Sequence, residues 1–189
     1  MNNLHLYLNS LVPISNQSYL LIENEFTIKK IQKNTILCNI GDIPKNIYHI
    51  KSGMIRAYTV DEKGKEYTKS LFRVNQFAAS LSALIKNEPS KLVYETITEC
   101  EVLEGNYTAL RKISSQNIEV ANIALRMLEM FYLSIENKLF EFTIKDAKDR
   151  YLSLIKRFEN IEKLIPQYQI ATILGITPIQ LSRIRKKLK

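Results

Sequence analysis

Tryptophan is absent from the 189 residues, histidine and cysteine occur twice each, and glycine and proline five times each. Each scarcity excludes something. Cys38 and Cys100 are too few for a disulfide framework, a four-thiolate zinc site or a thiolate-held iron–sulfur cluster. Low glycine and proline rule out a collagen-like or low-complexity chain. His5 and His49 cannot furnish the cluster of imidazoles that a cupin-type metalloenzyme needs, and neither marks a haem ligand, so no metal, no resident cofactor and no catalytic residue are expected. Apolar runs such as Tyr19 to Ile22 are far too short to span a membrane. Met1 to Ser10 lacks the basic start and apolar stretch of a signal peptide, and a cytoplasmic location is expected.

What is present is 46% apolar residues, enough for a real core at this length, and a formal charge of +8. The charge is lopsided. Residues 1–144 hold 16 Lys and Arg against 15 Asp and Glu, whereas residues 145–189 hold 11 against 4. A basic segment on a nearly neutral body suits a polyanionic partner, nucleic acid above all.

Residues 1–27 read as two short helical pieces, with Leu4, Leu8, Leu11 and Val12 on one face, Tyr19, Ile22 and Phe26 on another, and a boundary at Pro13–Ser15. Short alternating runs follow: 27–31, 35–38, 46–50, 54–60, 66–72, 92–98 and 100–104, separated by turns such as Gly41-Asp42, Ser52-Gly53 and Asp61-Glu-Lys-Gly64. They predict an antiparallel roll or barrel, interrupted at 77–85 by a helix-like stretch.

One long helix is then predicted from about Ser115 to Ile144. Ile118, Ala121, Leu125, Leu128, Tyr132, Ile135, Leu139 and Phe142 recur at 3-4 spacing, four heptads of seam. Val120, Ala124, Met127 and Phe131 form a second stripe. A helix apolar on two faces needs two partners. One is its own roll, and the other is the same helix of a second copy, with Leu125, Leu128, Tyr132, Ile135 and Leu139 as the dimerisation residues.

The last 45 residues read as helices, and 167–186 fits a helix-turn-helix. Ala171 lets the second helix cross closely, Gly175 suits a turn at positive φ, and Ile170, Leu174, Ile176, Leu181 and Ile184 make a small core. Thr177 and Pro178 start the second helix. Its outward residues, Ile179, Gln180, Ser182, Arg183, Lys186 and Lys187, are the candidate DNA-binding set together with Thr177. Arg183 is assigned a guanine contact, and Thr177, Gln180 and Ser182 phosphate contacts.

A strand-rich roll, a long helix and a C-terminal helix-turn-helix follow in the order of the cyclic-AMP receptor protein/Fnr (Crp/Fnr) family. The chain resembles that family in Ile47-Tyr48-His49-Ile50-Lys51-Ser52-Gly53, in Asp61 to Glu66, in Phe77 to Leu81 and in Cys100-Glu101-Val102. Gly175 to Pro178 and Leu181 to Arg185 are similar to the reading helix of a Bacteroidetes-like branch. The resemblance implies an α+β chain. Residues 1–114 form a cyclic-nucleotide-binding-like jelly roll, 115–144 a dimerisation helix, and 145–189 an all-α helix-turn-helix domain lacking the usual wing. Arg185, Lys186, Lys187 and Lys189 are expected to replace some of the wing's phosphate attraction.

It further implies a homodimeric transcription regulator whose partners are double-stranded DNA, a second copy of the chain, RNA polymerase and a small-molecule effector of unassigned chemistry. Ser80, Leu81, Ser82, Ser90 and Lys91 are the ligand-binding positions. The family's carboxylate and Arg-Ser pair for a cyclic nucleotide are replaced here by Ala79-Ser80-Leu81 and Ser90-Lys91, so no cyclic-AMP response is expected. The alternative reading is a ligand- or partner-binding roll whose shortened helix-turn-helix does not bind DNA.

Overall fold

The computed structural model describes residues 3–188. Lys189, counted above among the phosphate-attracting cations, lies outside the described residues.

Two short helices, α1 (Asn3–Leu11) and α2 (Asn16–Glu23), precede eight strands: β1 (Phe26–Ile31), β2 (Ile36–Cys38), β3 (Asn46–Ser52), β4 (Ile55–Val60), β5 (Glu66–Phe72), β6 (Phe77–Ala78), β7 (Val93–Thr96) and β8 (Cys100–Asn106). A short helix, α3 (Leu81–Lys86), separates β6 from β7. The strands make two four-stranded sheets, ordered β1-β8-β3-β6 and β2-β7-β4-β5, with every pairing antiparallel. Alternation along β3 shows how the sequence builds the roll. Tyr48 and Ile50 point between the sheets, into a core with Ile55, Ala57, Tyr94 and Val102. His49 points the other way and is fully buried against α1.

Two sequence expectations are corrected here. The helix-like stretch at 77–85 is first a strand: Phe77 and Ala78 pair with His49 and Tyr48, and the helix starts only at Leu81. The long helix does not start at Ser115. Ser115 and Gln116 close α4 (Tyr107–Gln116), and α5 runs over Ile118–Ile144. Asn117 makes the break. Its extended backbone ends one helix, and its side chain accepts from the N–H of Val120 to cap the next. It also donates to Ser18 Oγ of α2, which fixes the break against the N-terminal helices.

Val120 and Ile123 bury the first turns of α5 in a cluster with Leu4, Leu8, Tyr19, Ile22 and Leu103. Beyond Met127 the helix leaves that cluster. Leu125, Leu128, Tyr132, Ile135 and Leu139 stand 51–68% exposed along one side.

The C-terminal helices are α6 (Ala147–Arg157), α7 (Ile161–Leu164), α8 (Gln167–Leu174) and α9 (Pro178–Lys187). They share one core with the roll, because Met54 and Ile97 join Tyr151, Leu154, Phe158, Ile161, Ile170, Ala171, Leu174 and Leu181. Helix α8 lies on strand β5. The Thr68 N–H donates to Thr172 Oγ1 at 3.1 Å, and Gln169 Nε2 donates to Glu66 at 3.3 Å.

Candidate nucleic-acid interface and roll cavity

Helices α8 and α9 meet as a helix-turn-helix. Ala171 and Leu181 are fully buried at the crossing, and Ile170 and Leu174 fill the space beside them. Gly175 ends α8 at φ +67, and a Cβ there would meet the Phe142 ring of α5 at 3.0 Å. The turn of the reading motif therefore rests on the end of the long helix.

Thr177 and Gln180 open α9 with a reciprocal cap. Thr177 Oγ1 accepts from the Gln180 N–H at 3.2 Å, and Gln180 Oε1 accepts from the Thr177 N–H at 2.9 Å and its hydroxyl at 3.2 Å. The cap bears differently on the phosphate contacts expected of these two residues. A phosphate offers only acceptors, and both donors of Thr177 are already spent on the cap. Gln180 keeps only its Nε2 hydrogens for DNA, so it cannot pair bidentately with adenine, which needs the amide oxygen as well. The signal was in the sequence as Thr-x-x-Gln at the start of the second helix.

Ile179, Ser182, Arg183, Lys186 and Lys187 are exposed. Arg183 has no ion-pair or hydrogen-bond partner among the described residues. Arg185, expected among the phosphate-attracting cations, instead pairs with Glu162 of α7 at 2.7 Å and fastens α9 to its own domain. Glu162 also accepts from the Tyr151 hydroxyl at 2.6 Å.

In the roll, the candidate ligand positions fall into separate places. Ser80 and Ser90 are buried and share a 2.9 Å hydrogen bond, and Ser90 Oγ also contacts the Leu92 backbone. On one side of this pair lies a cavity of about 310 Å³ lined by Ser80, Cys38, Tyr48 and Tyr94, with Asp42 and Lys45 also in its wall. On the other is an open groove lined by Ser90, Lys91, Glu88 and Val60. Leu81 is half-buried, Ser82 is exposed, and neither lines these spaces.

Three groups of the cavity wall, Tyr94, Tyr48 and Cys38, are held neutral. Burial pushes Tyr94 up to about 12, and burial with Glu104 nearby does the same to Tyr48. Burial likewise raises Cys38, so its thiol stays protonated. Two further cations of the roll lie outside this cavity: Lys91 is exposed in the groove, and the buried Arg56 is already held. Its guanidinium bonds Glu66 at 2.6 Å and Glu95 at 2.6 and 2.9 Å, and it lies 3.9 Å over the Tyr58 ring. Glu66 is the same carboxylate that receives Gln169 of α8, so this cluster ties roll to reader.

Residues 28–117 match the family described as the cyclic nucleotide-binding domain. The chain is similar to the anaerobic regulatory protein of Bacillus subtilis (strain 168), with 24% identity over 147 residues covering 78% of this chain and 62% of that protein. Its likeness to the protein of that name in Haemophilus influenzae is 26% over 166 residues, covering 82% and 64%. The fold is similar to that of a transcriptional regulator from Eubacterium rectale ascribed to the crp/fnr family (TM-score 0.74, 17% identity, 96% of this chain and 87% of that one). The chain thus carries a cyclic nucleotide-binding domain and is similar to regulators of the Crp/Fnr type. The c-di-GMP responsive global regulator CLP of Xanthomonas campestris shares the fold as well, with a TM-score of 0.70 and 16% identity over 92% and 91% of the two chains. This chain spans less than two thirds of the length of those anaerobic regulatory proteins. Among its described residues no helix is long and apolar enough to cross a membrane, and no three His, Cys, Asp or Glu side chains gather into a metal-sized cluster.

Proposed function

We propose that the protein is a homodimeric, sequence-specific DNA-binding transcription regulator that does not answer to cyclic AMP. The observation that carries this reading is α9: a rigidly capped helix at the surface, with Arg183, Lys186 and Lys187 facing outward and no acidic side chain along its length. Such a helix suits the major groove of a polyanion.

The exposed seam of α5 supports a dimer. Leu125, Leu128, Tyr132, Ile135 and Leu139 left open to water at heptad spacing are the pattern a second copy of the same helix covers. The route from roll to reader is short. An effector in the roll cavity would press on Tyr94 of β7. That strand pairs with β4, β4 pairs with β5, and β5 carries α8. RNA polymerase is the partner such a regulator would address once on DNA.

The test compares Arg183→Ala with Lys186→Ala on a preferred duplex and on random duplexes. Loss of a guanine contact costs about 1–3 kcal/mol on the preferred duplex alone, whereas loss of a phosphate contact weakens both kinds of duplex alike. Equal, small effects of both variants on every duplex would show that α9 is not the reading element.

A further inference from the structure

On α9 one residue does not suit a solvated basic helix. Ile179 is 67% exposed, although the other apolar residues of the helix turn inward: Leu181 is fully buried and Ile184 packs on the domain core. Ile179, Ser182, Arg183 and Lys186 follow at i, i+3, i+4 and i+7, so they share one face. The isoleucine therefore leads the very face whose other members suit DNA, and it sits in the first turn, the part of a reading helix that enters a groove. It is held there rigidly. Pro178 occupies the first helical position, and the Thr177–Gln180 cap locks the turn around it. Seating it in an apolar contact thus carries little ordering cost.

Resting on the DNA-binding reading above, we infer that Ile179 is a base-reading residue that recognises the 5-methyl group of thymine in the major groove. The methyl is the one apolar group that base edges present there, and an aliphatic side chain with no hydrogen-bonding atom can select nothing else on them. The spacing to the guanine reader follows. Four helical residues separate Ile179 from Arg183, about 6 Å along the axis, and base pairs rise about 3.4 Å, so thymine and guanine stand about two steps apart in each half-site.

The experiment selects preferred duplexes from a random-sequence pool with the full chain, then replaces each thymine in turn by deoxyuridine, which removes only the methyl. In wild type one position per half-site should weaken binding about fourfold, the worth of one buried methyl. It should lie about two steps from the guanine whose replacement matters to wild type but not to Arg183→Ala. Ile179→Ala should bind thymine and uracil duplexes equally. Insensitivity of wild type to every uracil replacement, or an undiminished uracil effect in Ile179→Ala, overturns the assignment and leaves the DNA-binding reading standing. A folded chain that retains no duplex from the pool overturns the DNA-binding reading, and the assignment goes with it.

Discussion

His49 offers a sharp test of how the roll is packed. It is completely buried on β3, 5.5 Å from the Tyr7 ring of α1 and 4.8 Å from Phe77, and neither ring nitrogen has a hydrogen-bond partner among the described residues. Burial first, and the nearby Lys51 charge second, pull its pKa from 6.5 down to about 4. The folded chain therefore refuses a proton that the unfolded chain accepts. Stability from this site is complete above about pH 6.5 and is lost as pH falls towards 4, at a slope of about 1.4 kcal/mol per pH unit. Over the whole window the loss amounts to about 3 kcal/mol. Carboxylates held low by their partners, such as Glu119 beside Ser15 and Glu141 beside Lys145, add their losses only below about pH 4.5, so pH 6.5 to 4.5 isolates the histidine. Urea unfolding of wild type and His49→Leu across that range measures the difference in slope. The leucine should be near neutral at pH 7, because it replaces an unpaired polar group by an apolar one of similar size. It should flatten the acid loss. Parallel pH profiles for the two proteins would refute the buried, unpartnered imidazole.

Three further outcomes are expected. Gly53→Ala should lower stability by about 3 kcal/mol or more, because φ is +88 and a Cβ would stand 2.3 Å from the Glu99 carbonyl oxygen; thermal unfolding reads it. Arg56→Met should cost about 3 kcal/mol in urea unfolding by stranding Glu66 and Glu95. Arg56→Lys should recover little, since one point charge cannot fork to two carboxylates; full recovery by lysine would contradict the geometry. Leu128→Asp should shift the protein to monomer in analytical ultracentrifugation at micromolar concentration, and a dimer that survives would place the interface elsewhere.

The roll was legible because its strands alternate and its turns carry Gly, Asp and Asn, as at Gly53 and Gly64. The reading motif was legible because Ala171, Gly175 and Pro178 each answer a local steric demand. Strand β6 was not, because two residues carry no period, and only pairing with Tyr48 and His49 makes them extended. Asn117 was readable as a cap but was hidden by an apolar seam running through Ile118. The seating of α8 on β5 could not be read at all. Glu66 and Gln169 are 103 residues apart, and nothing local marks either as half of a contact. Thr177 teaches the opposite lesson: a polar residue at a helix start looks like a DNA contact until its donors are counted against the cap.

The most direct test of a dimeric DNA reader is the salt dependence of duplex binding by the intact chain. Arg183, Lys186 and Lys187 supply three exposed cations per chain on α9. With Arg183 on a base edge, Lys186 and Lys187 of a dimer bring four cations to phosphates, and log K should fall against log salt with a slope of about −4. Tight binding at 50 mM salt that fades along that slope is the predicted result. A folded dimer that fails to bind duplex at low salt, or binds with no salt dependence, contradicts it.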